Sequence, residues 1–226
     1  MPAQGITFNT TMALIAGAVP LLLLIFARVL QRPGRATIVG WSWMFGALGL
    51  FLFVTGTYMT LTWPLKDVPA ASHCCAVDNI SFGEPSMYFG ALLLFGAFAL
   101  MLAERASQDH ETPLDVVAVV RPFLYAGAFG GLGLIMIAVT GLQFGMWRPP
   151  PDEPIAGMLA GTGLEPLYIA AAYAITGLAA VTAPFATERR LVARIAAVSL
   201  FLAGMMWLFV ALTVFYGHIG FVDVHP

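Results

Sequence analysis

The sequence predicts an all-α polytopic membrane protein, with six transmembrane helices built by tandem duplication of a helical hairpin. Three observations carry that prediction. The 226 residues are 60% hydrophobic and only 10% charged, whereas soluble domains carry about 25% charged residues. The charges are confined between uncharged runs, roughly 6–26, 36–65, 85–103, 122–147, 166–187 and 195–221. Most of these runs reach the roughly 20 apolar residues that a spanning helix needs. Third, Phe45-Gly46-Ala47-Leu48-Gly49-Leu50 with Val54-Thr55-Gly56 returns as Phe129-Gly130-Gly131-Leu132-Gly133-Leu134 with Val139-Thr140-Gly141. The whole chain, 1–226, reads as a single integral membrane domain. A net charge of −2 carries no polybasic signal, so nucleic acid is excluded as a partner and the lipid bilayer is the expected one.

Span one is not a cleavable signal, because its positive flank (Arg28, Arg32, Arg35) follows it. It closes at Pro33-Gly34, a helix stop and tight turn. Span two carries the first copy of the motif and ends at Trp63-Pro64, where an interfacial Trp is expected. The loop to span three holds His73, Cys74, Cys75 and Asp78. Span three opens at Glu84-Pro85 and stops at Glu104-Arg105, followed by a polar loop with Asp109, His110 and Glu111. Span four follows Arg121-Pro122, carries the second copy, and leads through Trp147 to a stiff, Pro-rich loop. Span five opens at Glu165-Pro166 and closes at Glu188-Arg189-Arg190; span six ends in His218 and a short tail with His225.

Basic residues set the orientation. Arg28, Arg32, Arg35, Arg105, Arg121, Arg189, Arg190 and Arg194 fall on one side, and Lys66 and Arg148 on the other. Eight against two places the Arg-rich loops in the cytoplasm and both termini outside, in the plasma membrane. The repeat extends weakly to span six, where Thr213 stands as far from Arg194 as Thr140 does from Arg121. This phases the repeats as three hairpins, about 1–65, 84–147 and 165–221, each an odd span, an Arg-bearing turn and an even span.

Small residues mark helix contacts in lipid, where close van der Waals approach drives association. Gly127, Gly131, Gly141 and Gly145 of span four, with Gly46, Gly49 and Gly56 of span two, are therefore expected at interfaces, with spans two and four central. Spans one, three and five have almost no polar residue at depth and are expected to face lipid or a partner subunit. Tyr58, Gln143 and Tyr216, with Thr55, Thr140 and Thr213, hold matching places near the outer boundary. They are candidates either for a polar vestibule or for interhelical hydrogen bonds.

No Asp, Glu, Lys or Arg lies in the middle third of any span. Intramembrane ionisable groups mark proton relays and ion paths, so this pattern argues against ion-coupled transport. The outer loops hold His73, His218, His225, Glu84 and Glu165, a nitrogen and carboxylate set that suits copper or zinc, although no spacing among them is a recognised metal motif. Glu84 and Glu165 also fit a simpler role, since a carboxylate beside a Pro in a first helical turn complements the helix dipole. Adjacent Cys74 and Cys75 form a strained disulfide if they pair at all. Metal ligation and free thiols are equally open to them.

The stretch Asn79-Ile80-Ser81-Phe82-Gly83-Glu84-Pro85-Ser86-Met87-Tyr88-Phe89-Gly90 resembles the Asn-x-x-Phe-Gly-Glu-Pro…Phe-Gly segment of a prokaryotic multi-pass family. That family is known as domain of unknown function nine-eighty-one, and the Val-Thr-Gly…Trp-Pro end of span two is similar too. The resemblance implies a polytopic membrane fold and no known activity, cofactor or catalytic residue. The leading functional expectation is a non-catalytic accessory subunit that packs against other membrane protein subunits of a larger complex, such as a redox or metal enzyme. An outward-facing metal-binding protein or enzyme is the alternative, and a small-molecule or lipid binder the third reading.

Overall fold

The computed structural model describes residues 3–31, 38–63, 79–110, 113–149, 151 and 155–224, with side chains described within 10–213 of these except residue 156. Six helices are long and apolar enough to cross a membrane. They are α1 (Ala3–Leu30), α2 (Ile38–Thr62), α3 (Gly83–Asp109), α4 (Val116–Phe144), α5 (Leu164–Thr182) and α6 (Arg190–Val224). Short 3₁₀ turns at Ala156–Leu159 and Ala183–Phe185 flank α5. Described residues include no strand.

Local chemistry sets the helix ends. Asp115 caps α4, its carboxylate accepting from the Ala118 N–H at 3.0 Å, which satisfies one of the free donors of the first turn. At the other end Gly145 adopts φ 64, and the N–H groups of Met146 and Gly145 donate to the carbonyls of Gly141 and Leu142 at 2.8 and 3.4 Å. This Schellman arrangement requires a left-handed residue, which only glycine adopts without strain. Gly145 is therefore a helix terminator and lies outside the helix face expected for it. Glu84 and Glu165 occupy the first turns of α3 and α5, each followed by Pro.

Packing departs from the expected phase. The most extensive contacts join α2 to α3, α4 to α5 and α1 to α6; those joining α1 to α2, α3 to α4 and α5 to α6 are smaller. Each even helix thus packs chiefly on the odd helix that follows it, and α6 packs on α1, bringing the two ends of the chain together. Every one of these three pairs crosses at reciprocal glycines. A Cβ on Gly131 would stand 2.7 Å from the Gly177 carbonyl oxygen, and one on Gly177 would stand 2.5 Å from that of Gly131. Gly17 and Gly204 relate in the same way, each 3.0 Å from the other's oxygen. Between α2 and α3 the device appears twice, as Gly49 with Gly90 and Gly56 with Gly83. Backbones in such contact gain dispersion along the full crossing, the term that holds helices together where lipid removes any hydrophobic drive.

Two apolar cores stand out among the described residues. One gathers Phe26, Phe45 and Ala97 from α1, α2 and α3. The larger gathers Leu134, Ala138, Trp147, Ile169, Tyr173, Trp207 and Val210 from α4, α5 and α6 and the segment after α4. The expected centrality of spans two and four is corrected accordingly. In α5 and α6, 39% of the apolar window is buried, against 22% in α2 and α4. Span five does not face outward alone, because α5 turns Tyr173 and Thr176 to the interior while Leu167 and Leu178 stay exposed.

Candidate functional site

The main concentration of buried polar groups among the described residues lies where the turn before α3 enters the bundle. Asn79 and Ser81 are buried there and Phe82 is partly so, on a short helical turn that immediately precedes Gly83. α5, α6 and the segment after α4 supply its partners. The Trp147 indole N–H donates to the Ser81 hydroxyl at 3.2 Å, and the Tyr173 hydroxyl donates to the Ser81 carbonyl at 2.5 Å. One turn further along α5, Thr176 accepts from the Trp207 indole N–H at 2.9 Å while donating to the Ala172 carbonyl at 2.7 Å.

The rings of this network also stack on one another. Trp147 lies parallel to Tyr173, centroids 5.3 Å apart at 17°, and Trp207 stands edge-on to Tyr173 at 5.0 Å and 82°. Phe82 closes the set at 6.0 Å from Trp207 and 6.1 Å from Tyr173. Such pairs add about 0.5–1.5 kcal/mol each beyond the area they bury. Each polar tip is spent on a named acceptor, which keeps the burial of two indoles and a phenol favourable. The cluster acts as a lock: it ties one turn of chain to α5, α6 and the segment after α4 through aromatic and hydroxyl groups, with no charged side chain.

Gly141 makes the lock possible. Trp147 sits just beyond the end of α4 with φ 58, and its backbone reversal lays the indole back against the helix. A Cβ at Gly141 would coincide with the six-membered ring of Trp147. Gly131 meets Gly177 on α5, and Gly127 faces the Leu92 side chain at 4.0 Å.

The vestibule candidates go elsewhere. Tyr58 is 53% exposed and Gln143 is exposed. Each stands two residues past a buried glycine, Gly56 and Gly141, and so about 200° around its helix, on the opposite face. Both side chains therefore turn away from the glycine-packed faces of their helices, and the Tyr216 side chain lies outside the described residues. Thr55, Thr140 and Thr213 bond neither each other nor other helices. Their hydroxyls donate to the carbonyls four residues back, Phe51, Met136 and Phe209, at 2.6, 2.9 and 3.0 Å, the usual way a helix absorbs a threonine hydroxyl in an apolar setting.

Of the metal candidates, Glu84 is exposed and Glu165 half-buried. His73, Cys74, Cys75 and His225 lie outside the described residues, as does the side chain of His218. Among the described residues no group of three or more His, Cys, Asp or Glu could hold a metal ion. The lock residues Ser81, Tyr173, Thr176 and Trp207 escaped sequence reasoning. The one signal was for Ser81, in the Asn-x-x-Phe-Gly-Glu-Pro stretch, where Asn79 and Ser81 are buried while Glu84 is exposed.

Comparison with curated proteins and with solved structures found no match. A family model described as Protein of unknown function (DUF981) matches residues 4–220, nearly the whole chain, and includes every element of the lock and all three glycine crossings. The chain is a six-helix membrane member of that family.

Proposed function

We propose that this protein is a non-catalytic integral-membrane subunit that docks against other membrane subunits, with its termini outside and its Arg-rich loops in the cytoplasm. The observation that carries the reading is the filled interior. Phe82, Trp147, Tyr173 and Trp207 pack on one another inside the bundle, and their donors are taken up by Ser81 and Thr176. A rigid core of this kind presents side chains outward in a fixed geometry, among them Trp43, Phe95, Phe98 and Phe129, all more than half exposed. We read the three glycine-crossed pairs, α2–α3, α4–α5 and α6–α1, as three repeats of one helix pair, the third divided between the ends of the chain. Extraction in a mild detergent followed by native mass spectrometry tests the subunit reading. Co-purification of a second membrane protein in fixed ratio is expected; a monodisperse monomer carrying no other chain overturns it.

A second reading, an outward copper or zinc site, draws support from the matched places of Glu84 and Glu165 in the first turns of α3 and α5. Elemental analysis of the purified protein, beside a His73→Ala, His218→Ala variant, decides it. Stoichiometric metal lost in the variant supports the site, and metal-free native protein removes it.

A further inference from the structure

The connection from α4 to α5 ends in a stretch, Ile155 to Leu164, that carries no charged residue. It holds the 3₁₀ turn Ala156–Leu159, and much of its backbone bonds to itself. The N–H groups of Met158, Ala160 and Thr162 donate to the carbonyls of Ile155, Gly157 and Leu159 at 3.2, 3.0 and 3.0 Å. The Thr162 hydroxyl donates to the Leu159 carbonyl at 2.6 Å and accepts from the Leu164 N–H at 3.2 Å, which closes the stretch onto the start of α5. Gly161 and Gly163, at φ 79 and 72, allow so tight a path. A loop in water can leave its backbone groups to the solvent, whereas one in an apolar setting must satisfy them itself. The side chains nevertheless point away from the protein: Met158 is 75% exposed, and Leu159 and Leu164 are exposed as well.

The length of α5 fixes the depth of this stretch. Glu188, Arg189 and Arg190 follow the helix, and charges of that kind belong at a polar boundary. The apolar run Leu164–Phe185 counts 22 residues, about 33 Å of helix, against a hydrocarbon core about 30 Å thick. Leu164 therefore stands at the opposite edge of the hydrocarbon, and the 3₁₀ turn, which packs on α5, stands beside it. We infer that residues 155–164 form an interfacial anchor, with Met158 and Leu159 set among the phospholipid headgroups and upper acyl chains of the leaflet opposite Arg189 and Arg190. The partner is the lipid surface that α5 already meets. Leu164 and Leu167 are both exposed and lie three residues apart on one helix face, so the apolar surface of the stretch continues into that of the spanning helix. Apolar side chains at such a boundary leave water without crossing the bilayer.

The test uses the full chain with Cys74→Ser and Cys75→Ser, reconstituted in dioleoyl phosphatidylcholine vesicles. A nitrobenzoxadiazole label is attached through Met158→Cys, a substitution at an exposed side chain that leaves the core intact, with Leu159→Cys as a second reporter. Leu167→Cys serves as the lipid reference, and Gln108→Cys, on the exposed polar end of α3, as the aqueous one. The Met158 label is expected to emit to the blue of the Gln108 label and to lose as much fluorescence to doxyl-labelled phosphatidylcholine as the Leu167 label does. Iodide, which quenches the Gln108 label, should leave it largely untouched. Leu159→Asp should move the Met158 label toward iodide, because apolar side chains hold the anchor down. Iodide quenching equal to that at Gln108 would put the turn in water, and protection from both quenchers would put it under protein; either overturns the anchor. Lipid quenching unchanged by Leu159→Asp overturns it too, since packing on α5 alone would then hold the turn in place.

Discussion

The Val-Thr-Gly that closes the apolar run of α2 and the Val-Thr-Gly that closes that of α4 are the same residues put to different uses. Gly56 admits a neighbouring helix: a Cβ there would meet the Met87 backbone nitrogen and stand 2.7 Å from the Gly83 oxygen. Gly141 admits a ring, that of Trp147, brought back by the chain reversal just after its own helix. The two tryptophans that follow the two motifs diverge accordingly. Trp63 has φ 48 and Trp147 φ 58, so both turn left-handed, but Trp63 is 38% exposed and Trp147 only 4%. What separates them is distance along the chain. Trp63 follows the last residue of α2 directly, whereas Gly145 and Met146 first turn the chain before Trp147. An absent side chain thus specifies room, and the surrounding chain decides what fills it.

The largest break in this comparison should come from the tryptophans. Trp147→Ala removes the ring stacked on Tyr173 and the donor to Ser81, so a loss of about 3 kcal/mol is expected. Trp63→Ala should stay within about 1 kcal/mol, with both read as unfolding free energy in mixed detergent. If the two variants lose equal stability, the distinction between rim and lock fails.

Gly56→Ala should follow, costing about 2–3 kcal/mol, because its obstacle is helix backbone that cannot rotate away. Gly141→Ala should cost about 1–2 kcal/mol, since an indole can shift. That cost should shrink by more than about 0.5 kcal/mol in a Trp147→Leu background, a coupling that Gly56→Ala should not show with the same partner. Additive behaviour in both cycles would remove Trp147 as the reason for Gly141.

Tyr173→Phe takes the hydroxyl from the Ser81 carbonyl and should cost about 1–3 kcal/mol, the penalty for a buried acceptor left without its donor. Smallest of all, Gly133→Ala meets nothing within 4 Å and should fall within about 0.5 kcal/mol of the native chain. A large loss there would mean that the face of α4 bearing Gly133 is covered in the membrane by another protein, which would sharpen the subunit reading.

Much of this was legible in the residues themselves. Six spans, their limits within a few residues, the first-turn Glu-Pro pairs and the family all follow from where charge and proline interrupt apolar sequence, because a bilayer forces every spanning backbone to satisfy its own hydrogen bonds as helix. The lock was not legible. Ser81, Tyr173, Thr176 and Trp207 are scattered over three segments, and in apolar sequence a serine or tyrosine reads alike whether it faces lipid or a partner indole. The role of Gly145 was also hidden, since Gly141-x-x-x-Gly145 has the spacing of a helix-contact pair although its second member lies past the helix end.

By itself, then, the sequence determined the solvent this chain lives in and the number of helices long and apolar enough to cross it. These depend on local composition against the thickness of a membrane. Only the tertiary structure decided that α1 closes on α6, that the even helices pair forward rather than backward, and that α5 and α6 rather than α2 and α4 are the most buried. Those outcomes depend on which glycine meets which backbone, a matching of surfaces far apart in the chain that no single helix's residues specify.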